Sequence, residues 1–296
     1  MAVVTIVGAG VIGVSWARLF GAAGWEVRVS DPRPDLRDLV ARELADLPVT
    51  ALPDLAEAAT GTDFVQEAGP ERIEVKEQMF ATLAAHTADG VVLASSSSSL
   101  VPSLIARGNP AADRIVIGHP FNPPELMPLV EVVPGPKTSG RTADRAVEVY
   151  RELGKLPVRL KKEIPGFVGN RLQKVFNDQA AYLIQQGVID VEDLDDLVRA
   201  SLGLRWATVG PFESGVLGGG PGGMRHLTEH VGSQLDFETG TPDRARMGEV
   251  LDAVEQAYGT GEPAYERLAA LRDGRTRAVL EPLGWTGPAS GDGGRA

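Results

Sequence analysis

A histidine and a carboxylate able to move a proton stand close together in this chain. Gly118-His119-Pro120-Phe121-Asn122-Pro123-Pro124 is followed by Glu131 inside Leu129-Val130-Glu131-Val132-Val133. Successive strand residues alternate faces, so Glu131 shares its face with Leu129 and Val133 while Val130 and Val132 point the other way. A carboxylate in so apolar a strand is costly unless it finds a hydrogen-bonding or charged partner. The nearest candidate is His119, expected just beyond a strand end on a proline-rich loop. A carboxylate on one ring nitrogen would fix the tautomer and steady the ring, the equipment of a proton shuttle. His86, on the helix expected from Ile73, reads instead as an ordinary satisfied polar group.

A second constellation is Gly8-Ala9-Gly10-Val11-Ile12-Gly13, which closes the apolar run 3–7. The first glycine permits a tight turn, the second lets the backbone approach a pyrophosphate, and the third lets a helix pack on the strand. The N-terminus of the helix expected at 14–23 then stabilises the anion, and Val11 and Ile12, inside the turn, count with its glycines as cofactor-binding residues. Asp31 follows a second alternating strand at 26–30. There it can accept from a ribose 2′-hydroxyl and repel a 2′-phosphate, which selects NAD over NADP. Arg33 and Arg37 are the residues that would leave room for NADP.

These groups need a scaffold. Strands are expected at 64–67, 91–94, 115–118, 129–133 and 158–160, interleaved with helices at 73–85 and 142–153. Alternating strands and helices imply an α/β fold, a doubly wound, mainly parallel sheet covered on both faces. After residue 163 the strand signals stop, and 167–186, 191–202, 247–258 and 263–272 read as helices. The reading is therefore a nucleotide-binding domain at 1–162, an all-helical domain at 163–281 and a flexible Gly/Pro/Ser-rich tail at 282–296.

The 296 residues suit two domains of ordinary size, and 43% hydrophobic with 23% charged residues is the balance of a soluble globular protein. No stretch reaches the roughly 18 apolar residues of a membrane helix, and Met1 leads into a strand rather than a signal segment. With no cysteines, disulfides and thiolate chemistry are excluded, and a cytoplasmic location is expected. A net charge of -11 repels polyanions, so neither nucleic acid nor a membrane is an expected partner. An anionic small substrate would need a local cation. Arg205, beside Trp206 and after the helix end expected at Gly203, offers a guanidinium fork for a carboxylate; its bland alternative is a surface arginine capping helix carbonyls. His226-Leu227-Thr228-Glu229-His230 matches the inverted zinc-protease pattern, but no third ligand is identifiable and no metal is expected.

Taken together, the glycine turn, Ala94 with the serine run 95–99, Gly118-His119-Pro120-Phe121-Asn122-Pro123, Leu129-Val130-Glu131-Val132-Val133, Pro165-Gly166-Phe167-Val168-Gly169-Asn170-Arg171 and Gly210-Pro211-Phe212-Glu213 resemble the 3-hydroxyacyl-CoA dehydrogenase family. The likeness runs over nearly the whole chain. Within that family, Pro123-Pro124, Lys162-Glu163-Ile164 and Gly203-Leu204-Arg205-Trp206 look most like the L-gulonate 3-dehydrogenase and lambda-crystallin branch. The resemblance implies a Rossmann-type domain followed by a helical one, NAD as cofactor, and a homodimer assembled through the helical domain. It makes His119 the acid/base, Glu131 its orienting carboxylate, Ser98 and Asn170 polar groups around the substrate oxygen and nicotinamide, and Glu71 and Lys76 residues near the cofactor.

The implied reaction is oxidation of a secondary alcohol at carbon 3 of an acid. On the helix from Phe167, Val168, Leu172, Val175, Phe176 and Leu183 form an apolar stripe, which leaves Asn170 on a polar face that meets either water or a cleft. One departure stands out: the family's acyl-CoA enzymes carry a long helical hairpin after the second strand, whereas this chain has only short helical candidates at 35–45 and 52–59. A compact hydroxy acid, L-gulonate-like or similar, is the expected substrate. The alternatives are a CoA or carrier-protein thioester, a carnitine-type quaternary ammonium acid, and a non-catalytic crystallin role.

Overall fold

A computed structural model describes residues 1–234 and 237–285. The chain forms two compact units. One comprises Met1–Asn170 together with the chain from Thr276, the other Arg171–Arg275.

The first unit is built on eight strands: β1 (Val3–Val7), β2 (Glu26–Ser30), β3 (Val49–Ala51), β4 (Phe64–Glu67), β5 (Val92–Ser95), β6 (Ile115–Pro120), β7 (Leu129–Pro134) and β8 (Leu156–Arg159). They lie in the order β3-β2-β1-β4-β5-β6-β7-β8. Every neighbouring pair is parallel except β6 with β7. The chain winds outward from β1 through β2 and β3, then restarts on the other side of β1 with β4. That reversal opens a crevice at the carboxyl ends of β1 and β4, the general place for a ligand in such sheets.

Alternation along the strands divides the core into two layers. Val4, Ile6, Phe64, Val92, Ala94, Val116 and Val132 pack on one face with Trp16, Phe20 and Tyr150. Val7, Val65, Leu93, Ile115, Ile117 and Val133 pack on the other with Phe80, Leu83, Ile105 and Phe167. The covering helices are α1 (Val11–Ala22), α2 (Leu36–Glu43), α3 (Leu55–Ala59), α4 (Ile73–His86), α5 (Pro102–Ile105) and α6 (Gly140–Glu152). Between Asp31 and Phe64 the chain holds only α2, the short edge strand β3 and α3. The three-residue β3 was not expected, because so short a run carries no readable period.

The second unit is helical: α7 (Gly169–Gln185, entering from the first unit), α8 (Val191–Val198), α9 (Leu204–Thr208), α10 (Pro211–Gly218), α11 (Gly223–His230), α12 (Met247–Tyr258) and α13 (Glu262–Leu280, leaving into the first). Gly203 does not end a helix as expected. Arg199–Gly203 forms a π-type turn that joins α8 to α9, with Gly203 in right-handed helical geometry. A glycine stops a helix when it turns left-handed; here it stays right-handed and the chain continues. The apolar stripe of α7 is open, with Leu172 67% and Val175 71% exposed. Among the described residues no helix is long and apolar enough to cross a membrane. The tail expected from residue 282 lies, from 286 onwards, outside the described residues.

Candidate active site

His119 and Glu131 sit directly opposite one another in the antiparallel β6–β7 pair. His119 was expected beyond the strand, on the loop. Pairing with β7 instead carries β6 through Pro120, a residue tolerated at a strand end, where a missing N–H breaks no ladder. Opposed residues project from the same face of the sheet, and both point into the layer that contains Phe167, whose ring lies 5.3 Å from the imidazole.

His119 Nδ1 donates to Glu131 Oε2 at 2.9 Å. The other carboxylate oxygen, Oε1, accepts from the amides of Val168 and Gly169 at 2.9 and 3.1 Å. Burial alone would raise the Glu131 carboxyl, but the His119 hydrogen bond and the two amides outweigh it and hold the group below the usual carboxylate range. The carboxylate thus stays ionised and fixes the Nδ1–H tautomer. Every buried side-chain nitrogen or oxygen among the described residues has a partner. His119 Nε2 makes no hydrogen bond among the described residues, so it reaches solvent although the residue is only 5% exposed. The pair presents a single basic nitrogen, pre-aimed and uncommitted.

The serine loop after β5 is wound around one carboxylate. Glu71 Oε1 accepts from the hydroxyls of Ser97 and Ser99 at 2.6 and 2.8 Å and from the amides of Ser98 and Ser99 at 3.1 and 2.9 Å. Desolvation opposes ionisation here, yet these donors and Lys76 pull the Glu71 carboxyl down to about 2. The Ser98 hydroxyl makes no hydrogen bond among the described residues, while its carbonyl accepts from Asn170 Nδ2 at 3.0 Å. The structure therefore brings Ser98, Asn170 and Glu71 together by contact.

Lys76 is 1% exposed, and its ammonium donates to both oxygens of Glu67 at 2.7 and 2.8 Å, with Glu71 Oε2 at 3.5 Å. It supports Glu71 from behind. Glu67 was not singled out in the sequence. Burial pushes its carboxyl up against the pull of Lys76, Ser95 and the Gly69 amide. Nor was the buried chain in which Tyr150 donates to Gln66 at 2.6 Å, while Gln66 and Trp16 donate to Ser96 at 2.7 and 3.1 Å. Its available signal was two polar residues, Gln66 and Glu67, closing an otherwise apolar strand.

The glycine turn fits a dinucleotide. Gly8 adopts φ +101°, which an L side chain rarely adopts, and a Cβ on Gly13 would overlap the Gly8 carbonyl. A Cβ on Gly10 would meet nothing, so that face of the backbone is open. The N-terminus of α1 has no side-chain cap, its first amides are free for an anion, and Val11 beside them is 68% exposed. Ile12 is half-buried against the core. Asp31 accepts from the amides of Ala9 at 2.8 Å and Arg33 at 2.9 Å, and each oxygen keeps a lone pair for a ribose hydroxyl. The Arg33 guanidinium is occupied by Asp35 through two hydrogen bonds of 2.7 and 2.8 Å, which removes the obvious partner for a 2′-phosphate.

In the second unit, Arg205 lies exposed on α9. The His226 and His230 rings pack 4.2 Å apart on α11. Among the described residues no group of three or more His, Cys, Asp or Glu side chains is arranged to hold a metal.

Comparison with known proteins agrees with this geometry. Residues 3–48 and 42–164 match the model of the 3-hydroxyacyl-CoA dehydrogenase NAD binding domain, and residues 166–265 match the C-terminal domain of the same family. An L-carnitine dehydrogenase of Nocardiopsis dassonvillei is 38% identical, covering 95% of this chain and 91% of its own length. A 3-hydroxyacyl-CoA dehydrogenase of Gibberella moniliformis is 42% identical over 78% of each chain. Among solved structures, 5-formyl-3-hydroxy-2-methylpyridine 4-carboxylic acid 5-dehydrogenase, described as an NAD+-dependent dismutase, superposes with a TM-score of 0.78 at 26% identity over 96% of this chain and 98% of that one. With both family domains matched end to end and a dinucleotide turn ahead of a paired histidine, the chain belongs to the 3-hydroxyacyl-CoA dehydrogenase family of NAD-dependent oxidoreductases acting on CH–OH groups.

Proposed function

We propose that this enzyme interconverts a compact L-3-hydroxy acid and its 3-oxo acid, with a carnitine-like acid as the leading candidate, and that His119 is the acid/base. The observation that carries this is the His119–Glu131 pair with Nε2 left uncommitted. Glu131 holds the ring with Nε2 as the basic nitrogen, and Nε2 takes the proton from the substrate hydroxyl as the alcohol becomes a carbonyl. NAD, when bound, supplies the hydride acceptor. In the reverse direction Nε2 returns the proton to the carbonyl oxygen, while Glu131 stabilises the imidazolium. The Ser98 hydroxyl and the Asn170 amide are assigned to the substrate oxygen, with Glu71 and Lys76 setting the loop that carries Ser98.

Several observations support a free acid over a thioester. Only α2, β3 and α3 stand between β2 and β4, where the CoA enzymes carry a long hairpin. The relative that covers nearly the whole chain is named for carnitine, and the structural match covering 96% of it is named for a small pyridine carboxylic acid. Phe121, 5.5 Å from the His119 ring, offers an aromatic face for a quaternary ammonium, and Trp206 and Phe212 are exposed on the helical unit. Arg205 remains the candidate cation for the carboxylate. The second reading, a 3-hydroxyacyl-CoA substrate, is favoured by the Gibberella relative. The open apolar stripe of α7 supports assembly as a homodimer.

The test is an NADH-fluorescence screen of the purified protein with L-carnitine, L-gulonate, L-3-hydroxybutyrate and 3-hydroxybutyryl-CoA. Saturable turnover of one or more free acids is expected. Turnover confined to the thioester would overturn the compact-acid reading.

A further inference from the structure

We infer that Lys155 is a positioning residue for the His119–Glu131 pair, clamping through its ammonium the loop that connects their two strands. This rests on the reading of His119 as the acid/base, but it makes a separate structural claim.

Residues 121–128 join β6 to β7 and include Pro123, Pro124 and Pro128. Each proline removes an N–H while keeping its carbonyl, so this loop is short of donors and rich in acceptors. Within it, Leu126 and Met127 both donate to the Pro123 carbonyl at 3.0 Å. The carbonyls of Pro124 and Met127 are served from outside. Lys155, on the residue before β8 and only 9% exposed, donates from Nζ to the Pro124 oxygen and, at 3.3 Å, to the Met127 oxygen. An ammonium carries three donors, enough to serve both stranded carbonyls.

The same loop is tied to the helix of the glycine turn. The Glu125 amide donates to Ser15 Oγ at 3.1 Å, and Arg18 lies 3.4 Å from the Glu125 carboxylate. Lys155 thus closes a frame that runs from α1, through the loop, to the strands that carry His119 and Glu131. The main chain reinforces it, since the Leu156 amide donates to the Pro128 carbonyl at 2.8 Å.

Burying an ammonium on neutral carbonyls is unfavourable to its charge. Burial lowers the Lys155 amine to about 8, against the pull of Glu125. The charged side chains facing this region are Glu125 on the loop, Glu152 at the end of α6, and Arg18, itself paired with Glu43. On deprotonation the amine keeps two donors but loses the charge that strengthens both hydrogen bonds, so the clamp weakens as pH rises past this point.

The experiment compares wild type, Lys155→Arg and Lys155→Met, with folding checked by thermal melts. The first readout needs no substrate. In protein labelled at histidine nitrogens and assigned with His119→Asn, the downfield Nδ1–H resonance of the His119–Glu131 bond is followed from pH 6.5 to about 9.5. It should fade above about pH 8 in wild type, persist at least one pH unit further in Lys155→Arg, and be absent or exchange-broadened throughout in Lys155→Met. The second readout is alcohol oxidation, where Lys155→Met should lose roughly tenfold or more in kcat with NADH affinity unchanged. The alkaline fall of kcat should move upward in Lys155→Arg. A Nδ1–H signal with the same pH limit in all three proteins would overturn the proposal. If the signal responds to Lys155 but no hydroxy acid is oxidised, the positioning role stands and the reading of function falls instead.

Discussion

His119 and Glu131, 12 residues apart in the chain, are direct cross-strand partners whose side chains meet at 2.9 Å. The register, rather than proximity in sequence, makes the pair. Glu131 also receives the two amides that begin the approach to α7, so one carboxylate fixes both the imidazole and the start of that helix. Replacement by glutamine tests both functions. Its NH2 group must face either Nδ1, which forces the other tautomer, or two amide N–H groups, which repel it. Glu131→Gln should lower kcat roughly a hundredfold or more, and stability by about 1–3 kcal/mol. A kcat within threefold of wild type would mean that Glu131 does not set the tautomer.

The glycine turn makes a contrast of two substitutions. Gly10 has φ -77° and open space where a Cβ would stand. Gly10→Ala should therefore melt like wild type but bind NADH at least tenfold more weakly, the new methyl occupying the approach to the pyrophosphate. Gly13→Ala places its Cβ against the Gly8 carbonyl and should lower the melting temperature itself. Calorimetry with a fluorescence titration of NADH separates the two effects, and equal melting temperatures would contradict the packing role of Gly13.

Glu67 and Lys76 are both almost wholly buried and bonded to each other. Lys76→Met leaves an uncompensated buried carboxyl and should cost about 3–5 kcal/mol. The double substitution Lys76→Met with Glu67→Gln should cost less than Lys76→Met alone. Urea unfolding of these two variants and of Glu67→Gln alone closes the cycle, and strict additivity would argue against a direct pair.

Glu71 contributes stability with a definite pH sign. Its folded-state value, about 2, lies below the ordinary 4.5, so its contribution is present above pH 4.5 and fades as pH falls toward 2. The side chain is 36% exposed, and solvent screening reduces the contribution to about 1 kcal/mol. The stability gap between wild type and Glu71→Gln, measured by urea unfolding, should be widest near neutrality and narrow below pH 4.5. A gap that widens in acid would reverse the assignment.

Asp35 is expected to influence cofactor choice alongside Asp31. Asp35 holds the Arg33 guanidinium with paired hydrogen bonds and is itself held below the usual carboxylate range chiefly by Arg33. Asp35→Ala should release Arg33 toward a 2′-phosphate and raise the NADP-to-NAD ratio of kcat/KM by roughly tenfold. The double variant with Arg33→Ala should lose that gain.

Local patterning carried much of this architecture. The glycine turn, the acidic residue after β2, the apolar strands and the helices α4 and α12 are periodic over neighbouring residues, and such periods are visible along a single chain. Glu131 was conspicuous because a charge interrupts an apolar strand, and His119 because it precedes a run of prolines.

Other features depend on groups that meet across long separations. The extension of β6 through His119 follows from pairing with β7, not from the composition of β6. Gly203 reads as a terminator by type, yet its backbone stays right-handed and the helix continues through a π-type turn. The Tyr150–Gln66 contact spans 84 residues, and the Lys155–Pro124 contact 31. No spacing rule anticipates such pairs, because a side chain's hydrogen-bond partner is selected by strand order and register, and these exist only once the sheet is assembled. Residue types thus specified which chemistry was available, while the packed sheet selected which groups stand within reach of one another.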